Sequence, residues 1–398
     1  MDLYLQMGHG MQSITKEMIK FWKKGTVILS PVNMKPERII SFSNEIKKLN
    51  GNVLFDPQLF YPKDGHKKLR AYAYWPDDFS TFSDINVYEN INREVLKINL
   101  EINSSAIIMP SKEIEEKKLK HDIEWIDKVT QYFRKKTDKT LLATLFLSAE
   151  LLRNNNVIET IIEQLRYINV DGYYIIPQAP NNEYLVTDYL WMIGAMKLIS
   201  CLKLQKKKVI VGYSNHQGLI YALAHADAIA SGTYLNTRSF SPKKFKLVEE
   251  KTMKQRSTWY YLPSAFSEYR ATLLDVAWQR KYIDEFQTQG DYQNSYSQML
   301  FNGVQPSSTG YTETNSFKHY LHCLKIQCDM FSNNDYNKLY DLYEFALNSA
   351  DNKMKKIKML GITKQNRDFS QALDVNRIAM CANNEDYGFK LKMNWIEL

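Results

Sequence analysis

Cysteine is scarce in this chain. Only Cys201, Cys323, Cys328 and Cys381 occur among 398 residues, and no two of them form a C-x-x-C pair. That usage argues against a disulfide framework and a four-thiolate zinc module, and it predicts reduced thiols in a cytoplasmic protein. Long apolar runs are also missing. No stretch of about 18 uncharged apolar residues occurs, so no membrane-spanning helix is expected. The opening Met1-Asp2-Leu3-Tyr4-Leu5 has no basic stretch leading into an apolar one, so no secretory leader is expected. No Gly-x-Gly-x-x-Gly follows any apolar run, which argues against a dinucleotide-binding fold. His319 and His322 share a helical face at i, i+3, but no carboxylates or thiols accompany them in a metal-binding order. No metal and no cofactor are expected.

Hydrophobic residues make up 44% and charged residues 24%, enough apolar side chain for a sizeable core. Net charge is +8, alongside 26 tyrosines, 18 phenylalanines and 7 tryptophans. Aromatic faces among lysines and arginines suit unpaired bases and phosphates, so a nucleic-acid partner is expected.

Eight short apolar runs punctuate the first part of the chain, at 3–7, 26–29, 52–55, 106–109, 141–147, 172–176, 208–212 and 226–230. Their continuous apolar character predicts strands buried on both faces of a parallel sheet. Helical stripes separate many of them: Ile14, Met18, Ile19 and Trp22; Ile39, Phe42, Ile46 and Leu49; Ile158, Ile161, Ile162 and Leu165; Leu219, Leu223 and Ala226. Eight alternations predict an α/β fold, a (β/α)8 TIM-type barrel over 1–238 with a long insertion at 57–105. An open doubly wound sheet is the main alternative. Residues 239–398 read as a mainly helical, basic region. Within it, 264–287 is expected to be a helix, 289–315 loops, 317–358 two helices broken near 332–335, and the tail from 365 irregular.

A barrel places its reactive groups at the C-terminal ends of the strands. The first run leads to His9, the second to Asn33, the third to Asp56 and Gln58, and the fifth to Glu150. The sixth leads to Gln178, the seventh to Tyr213, Ser214 and His216, and the eighth to Tyr234 and Arg238. A carboxylate directly after an apolar strand makes Asp56 the best candidate for acid, base or nucleophile work. His216 and Glu150 are the further catalytic candidates. His9, Asn33, Gln58, Gln178, Tyr213, Ser214 and Tyr234 offer hydrogen bonds to a substrate. Arg238, Lys243, Lys244 and Lys246 offer charge to phosphate. Turn and capping roles compete with each of these assignments.

At these positions the chain resembles the tRNA-guanine transglycosylase superfamily, including relatives that insert deazaguanine bases into DNA. Asn52-Val53-Leu54-Phe55-Asp56 is similar to the family's third-strand segment ending in a catalytic aspartate. The segment from Asp227 to Leu235-Asn236-Thr237-Arg238 is similar to the one ending in Leu-Pro-Thr-Arg. His319-Tyr320-Leu321-His322 and the helices after it resemble the family's C-terminal run. Two family features are absent: the nucleophilic aspartate falls near Ala230 or Ser231, and no C-x-C-x-x-C precedes His322. The resemblance implies a barrel acting on DNA or tRNA, with a modified or deazaguanine-type base as ligand. It implies cleavage or exchange at an N-glycosidic bond, and for a DNA-directed relative a role in defence against foreign DNA. The alternatives are a non-catalytic relative that binds nucleic acid, a protein partner or a second copy of itself, and a barrel enzyme acting on a small phosphorylated metabolite.

Overall fold

The computed structural model describes residues 1–60, 68–76, 85–242, 257–332, 334–362 and 367–398. Eight parallel strands form a curled sheet: β1 (Asp2–Gln6), β2 (Gly25–Leu29), β3 (Gly51–Phe55), β4 (Ile107–Ile108), β6 (Leu141–Leu147), β7 (Gly172–Pro177), β8 (Lys208–Val211) and β9 (Ala228–Ser231). Their hydrogen-bonded order is β3-β2-β1-β9-β8-β7-β6-β4. The last β-barrel strand thus pairs with the first, Leu3 opposite Ile229. Ser105 N donates to Val53 O at 3.0 Å and links the remaining two edges. This is a TIM-type barrel.

The strands are apolar throughout because each has two buried faces. Tyr4, Ile28, Leu54, Ile108, Leu142, Tyr174, Ile210 and Ala228 form one cluster inside the barrel. Their neighbours Leu3, Val27, Val53, Ile107, Leu141, Tyr173, Val209 and Ile229 belong to a second cluster, shared with the outer helices. The fourth strand is shorter than its apolar run predicts. An additional two-residue strand, β5 (Glu113–Ile114), pairs with β6 at Phe146 and Leu147; it is too short for periodicity to reveal.

The outer layer contains α1 (Gln12–Trp22), α2 (Pro36–Lys48), α3 (Ile85–Glu101), α4 (Leu119–Arg134), α5 (Ala149–Arg153), α6 (Asn155–Leu165) and α7 (Tyr189–Leu204). The expected stripes face inward: Ile14, Met18 and Ile19 are buried on α1, and Ile158, Ile161, Ile162 and Leu165 on α6. The stripe expected at Leu219, Leu223 and Ala226 is not an α-helix. Residues His216–Ala224 wind as a 3-10 helix and are buried at every position, so burial replaces the one-sided pattern of a surface helix.

The C-terminal region departs further from expectation. Of the helix expected over 264–287, α8 (Ala271–Gln279) is present, but its first part is the second strand of a hairpin, β10 (Trp259–Leu262) and β11 (Ser267–Arg270). Pro263 and the left-handed Phe266 (φ 47°) turn the hairpin. The stretch 289–315 holds short 3-10 turns and α9 (Ser295–Gln298). The two expected helices are α10 (Glu313–Met330) and α11 (Tyr336–Met359), the second capped by Asp335. The tail is not irregular: it folds as α12 (Ser370–Asn383), one π turn and α13 (Phe389–Asn394). α10 packs on α1 and β1, while α11 and α12 cover the 3-10 segment. These helices therefore occupy the outer positions that the seventh and eighth crossovers leave open. Among the described residues no helix is long and apolar enough to cross a membrane.

Candidate functional site

The mouth of the barrel is organised around Asp56. As β3 ends, Asp56 N still donates to Leu29 O at 3.2 Å, holding the carboxylate at the rim. Its Oδ1 accepts from Gln58 N at 3.0 Å, and the Tyr174 hydroxyl lies 3.4 Å from Oδ2 and 2.9 Å from Gln6 Oε1. Gln58 adopts a left-handed backbone (φ 55°) that turns its side chain back over the rim. Its Oε1 accepts from Ser30 Oγ at 2.9 Å and Val32 N at 3.2 Å, and its Nε2 donates to the Tyr213 hydroxyl at 2.9 Å. Tyr213 is left-handed too (φ 53°). Two side-chain-bearing residues in this sparsely populated region, facing each other across one mouth, mark a constrained site. Burial, and next the charge of Asp56, push the Tyr174 and Tyr213 hydroxyls well above their ordinary range. Both stay protonated at neutral pH.

Aromatic rings cover this network. Phe60, Phe146 and Phe240 pack edge-on or tilted with centroids 4.8–5.5 Å apart, and Tyr213 meets Phe240 at 5.2 Å. Asp56 is accordingly only 1% exposed. Asn33 belongs to the same rim, its Nδ2 donating to Ser30 Oγ at 2.8 Å. The Gln178 backbone bridges to Phe240 and its carbonyl accepts from Trp191 Nε1.

The other two catalytic candidates lie elsewhere. Glu150 is exposed in the first turn of α5, behind the Ser148 cap. His216 is buried in a box of Tyr184, Tyr261, Tyr320 and Phe369, with centroids 4.9–6.0 Å away. Neither ring nitrogen has a side-chain hydrogen-bond partner; the Phe266 backbone lies against the ring. Its neighbours in the polar run hold structure together. Asn215 caps the 3-10 segment, and Gln217 bonds the Val186 backbone twice and Asn376 of α12. Ser214 Oγ is directed at Asn215 O at 3.4 Å. Lys243, Lys244 and Lys246 lie outside the described residues.

A second locus lies beside the mouth, where the loops after β1 and β9 meet the hairpin and the first turn of α10. It is a cavity of about 580 Å³, in the size range of small-ligand sites. The sequence candidates His9, Tyr234 and Arg238 line it. Trp259, Glu268, Arg270 and Arg367 line it as well; these were not picked out in the sequence. Glu268 is the hub. Its Oε2 is 2.8 Å from Arg367 Nη1 and 3.3 Å from Arg238 Nη1, and its Oε1 accepts from the Tyr184 hydroxyl at 2.5 Å. Burial opposes ionisation of Glu268, but Arg238 and Arg367 outweigh it and hold the carboxyl below its usual range. Burial also opposes the Arg238 charge, and Tyr184, Glu268 and Tyr320 more than compensate. The Arg238 guanidinium sits 3.4 Å from the Tyr320 ring centroid and donates Nε to Gly232 O at 2.9 Å. Arg367 and Arg270 stand 3.9 and 5.2 Å from the Trp259 ring. The alternation in Trp259-Tyr260-Tyr261-Leu262 and Ser267-Glu268-Tyr269-Arg270 around Pro263 was the available signal for the hairpin. Only folding brings Arg367 to it.

No family model matches the chain, and no curated protein sequence does. Two solved structures similar to it are a thermostable mutant of a xylanase from Cellvibrio japonicus and a mandelate racemase/muconate lactonizing family protein from Azoarcus. The xylanase is 8% identical with a TM-score of 0.39, over 58% of this chain and 85% of that one. The second is 14% identical with a TM-score of 0.29, over 61% of this chain and 50% of that one. The barrel is established by its own strand order and register.

Proposed function

We propose that this chain binds nucleic acid, and that the cavity beside the eighth barrel strand is where it engages the strand. The arginine cage carries the reading: in one cavity Arg270 and Arg367 set guanidinium groups against Trp259, and Arg238 lies over Tyr320. Guanidinium suits phosphate oxygens, and aromatic rings or guanidinium planes suit unstacked bases. Barrel proteins frequently hold phosphate at the loops after their seventh and eighth strands, and Arg238 follows the eighth. The surrounding chain is basic in sequence, with Lys243, Lys244 and Lys246 following Arg238.

Binding without base exchange is the form this takes. The Asp56 carboxylate is engaged by Gln58 N and the Tyr174 hydroxyl and roofed by aromatic rings. Cleavage at an N-glycosidic bond is the second reading, favoured by a buried carboxylate flanked by two protonated tyrosines. Anisotropy titrations with single-stranded DNA, duplex DNA and tRNA, from about 50 to 300 mM salt, test the proposal. Binding should weaken steeply with salt. Arg270→Ala should weaken it on all sequences alike and lower the salt slope by about one. Failure to bind any of the three would remove the proposal and favour a small phosphorylated metabolite. Base release that disappears in Asp56→Asn, with binding retained, would establish the second reading.

A further inference from the structure

We propose that the cavity holds a single nucleotide unit by its phosphate, seated between Arg270 and the Thr233 hydroxyl. The inference rests on the nucleic-acid reading above and assigns the part of the strand that enters.

Two independent features converge there, beside the start of α10. Glu313, Ser316 and Phe317, near the start of α10, line the cavity, and the Thr312–Asn315 capping box already engages donors of the first turn. Thr233 also lines the cavity, is 2% exposed, and its Oγ1 has no hydrogen-bond partner. A buried hydroxyl left unpaired is unfavourable, and a ligand oxygen at that position would satisfy it. Arg270 is exposed, lines the cavity and forms no ion pair among the described residues. Arg238 and Arg367, by contrast, are both tied to Glu268. Arg270 is thus the guanidinium available to an incoming anion.

The rest of the lining selects a nucleotide over bare phosphate. Tyr234 and Phe317 meet edge to face at 4.8 Å and form an apolar wall for a planar ring. The Tyr234 hydroxyl approaches Glu313 Oε2 at 3.2 Å. A carboxylate accepts hydrogen bonds from sugar hydroxyls but repels phosphate, so it orients the ligand with its sugar toward Glu313 and its phosphate toward Arg270. A cavity of about 580 Å³ has room for one such unit. The same chemistry is offered by a free mononucleotide and by a strand end carrying a terminal phosphate.

Calorimetric titration of the full chain with adenosine 5′-monophosphate, adenosine and inorganic phosphate tests the first source. Anisotropy with one oligonucleotide bearing either a 5′-phosphate or a 5′-hydroxyl tests the second. In at least one pair the phosphorylated member should bind about tenfold more tightly, and inorganic phosphate should bind more weakly than the mononucleotide. Thr233→Val keeps the side-chain shape and removes the hydroxyl; Arg270→Ala changes an exposed position. Each should erase most of the phosphate preference; Thr233→Val should leave every unphosphorylated ligand within about twofold of its original affinity, and Arg270→Ala should do so for adenosine while weakening both oligonucleotides by its general strand contact. A preference confined to the oligonucleotide pair identifies a strand end, and one shown by the mononucleotide identifies a free nucleotide. Absence of preference in both pairs, or a preference that survives both substitutions, overturns the inference. Salt-sensitive oligonucleotide binding without that preference would remove this subsite and leave the wider reading standing. Mononucleotide preference with no oligonucleotide binding would do the reverse.

Discussion

Glu268 and the two arginines on it form a buried charge cluster whose members cannot be removed singly. Arg238 and Glu268 have side chains 2% and 3% exposed, and Arg367 is 16% exposed. Removing one partner of such a group leaves an uncompensated buried charge. Glu268→Gln keeps the shape and abolishes the charge, so it should lower unfolding free energy by about 3–5 kcal/mol in urea denaturation. A loss under about 1 kcal/mol would mean that packing alone holds the cage. The buried histidines set the acid limit. Burial lowers His216 and His319 to about 4 from 6.5. At His216, Arg238 and Arg367 reinforce that shift and Glu268 and the Phe266 backbone oppose it. At His319 the Tyr261 carbonyl opposes it and His322 reinforces it. Between pH 6.5 and 4 the unfolded chain binds more protons than the folded one, so stability falls as pH drops through that window. Each histidine should remove about 2 kcal/mol by pH 5. Denaturation midpoints at pH 7 and 5 measure it, and His216→Phe should flatten part of the slope. At this scale Asp56 stood out in the sequence because a carboxylate directly follows a strand. Glu268 did not, because its partners lie 30 and 99 positions away.

Among elements, close approach decides where side chains are tolerated. Gly194 lies on α7, and a Cβ there would come 1.9 Å from the Leu152 carbonyl oxygen of α5. Backbone cannot move aside as a flexible side chain can. Gly194→Ala should therefore destabilise by about 2 kcal/mol or more despite the better helix propensity of alanine. A thermal midpoint equal to that of the unaltered chain would show that α5 and α7 are free to separate. Helical periodicity also misled at the start of 264–287, although α8 carries its later part. Tyr269, Leu273, Val276 and Ala277 fall on one helical face, yet Tyr269 belongs to β11 and pairs with Tyr260 of β10. Local pattern gave way to a cross-strand partner, which propensity does not register. The tail was unreadable for a related reason. α12 has only a modest apolar face, and its helix is supported by α7 and the 3-10 segment.

For the molecule as a whole, the boundary expected at 238 divides a structure that shares one apolar cluster. Barrel residues such as Leu3 and Ile229 and C-terminal residues such as Leu324, Leu347 and Met380 belong to the same core. The full chain should therefore unfold in a single cooperative transition. A fragment ending at 238 should fail to fold, because β1 and the 3-10 segment would lose α10, α11 and α12 from their outer faces. Two separate transitions, or a soluble fragment with sharp melting, would show independent domains. The sequence by itself determined the eight strands, their parallel arrangement and the rim carboxylate. Strands buried on both faces must be apolar along their whole length, and that pattern is local. Only tertiary structure decided which helices close the outer layer, that aromatic rings roof Asp56, and that an arginine cage forms beside the eighth strand. Those outcomes depend on side chains that meet across long stretches of chain, where no local spacing records the encounter.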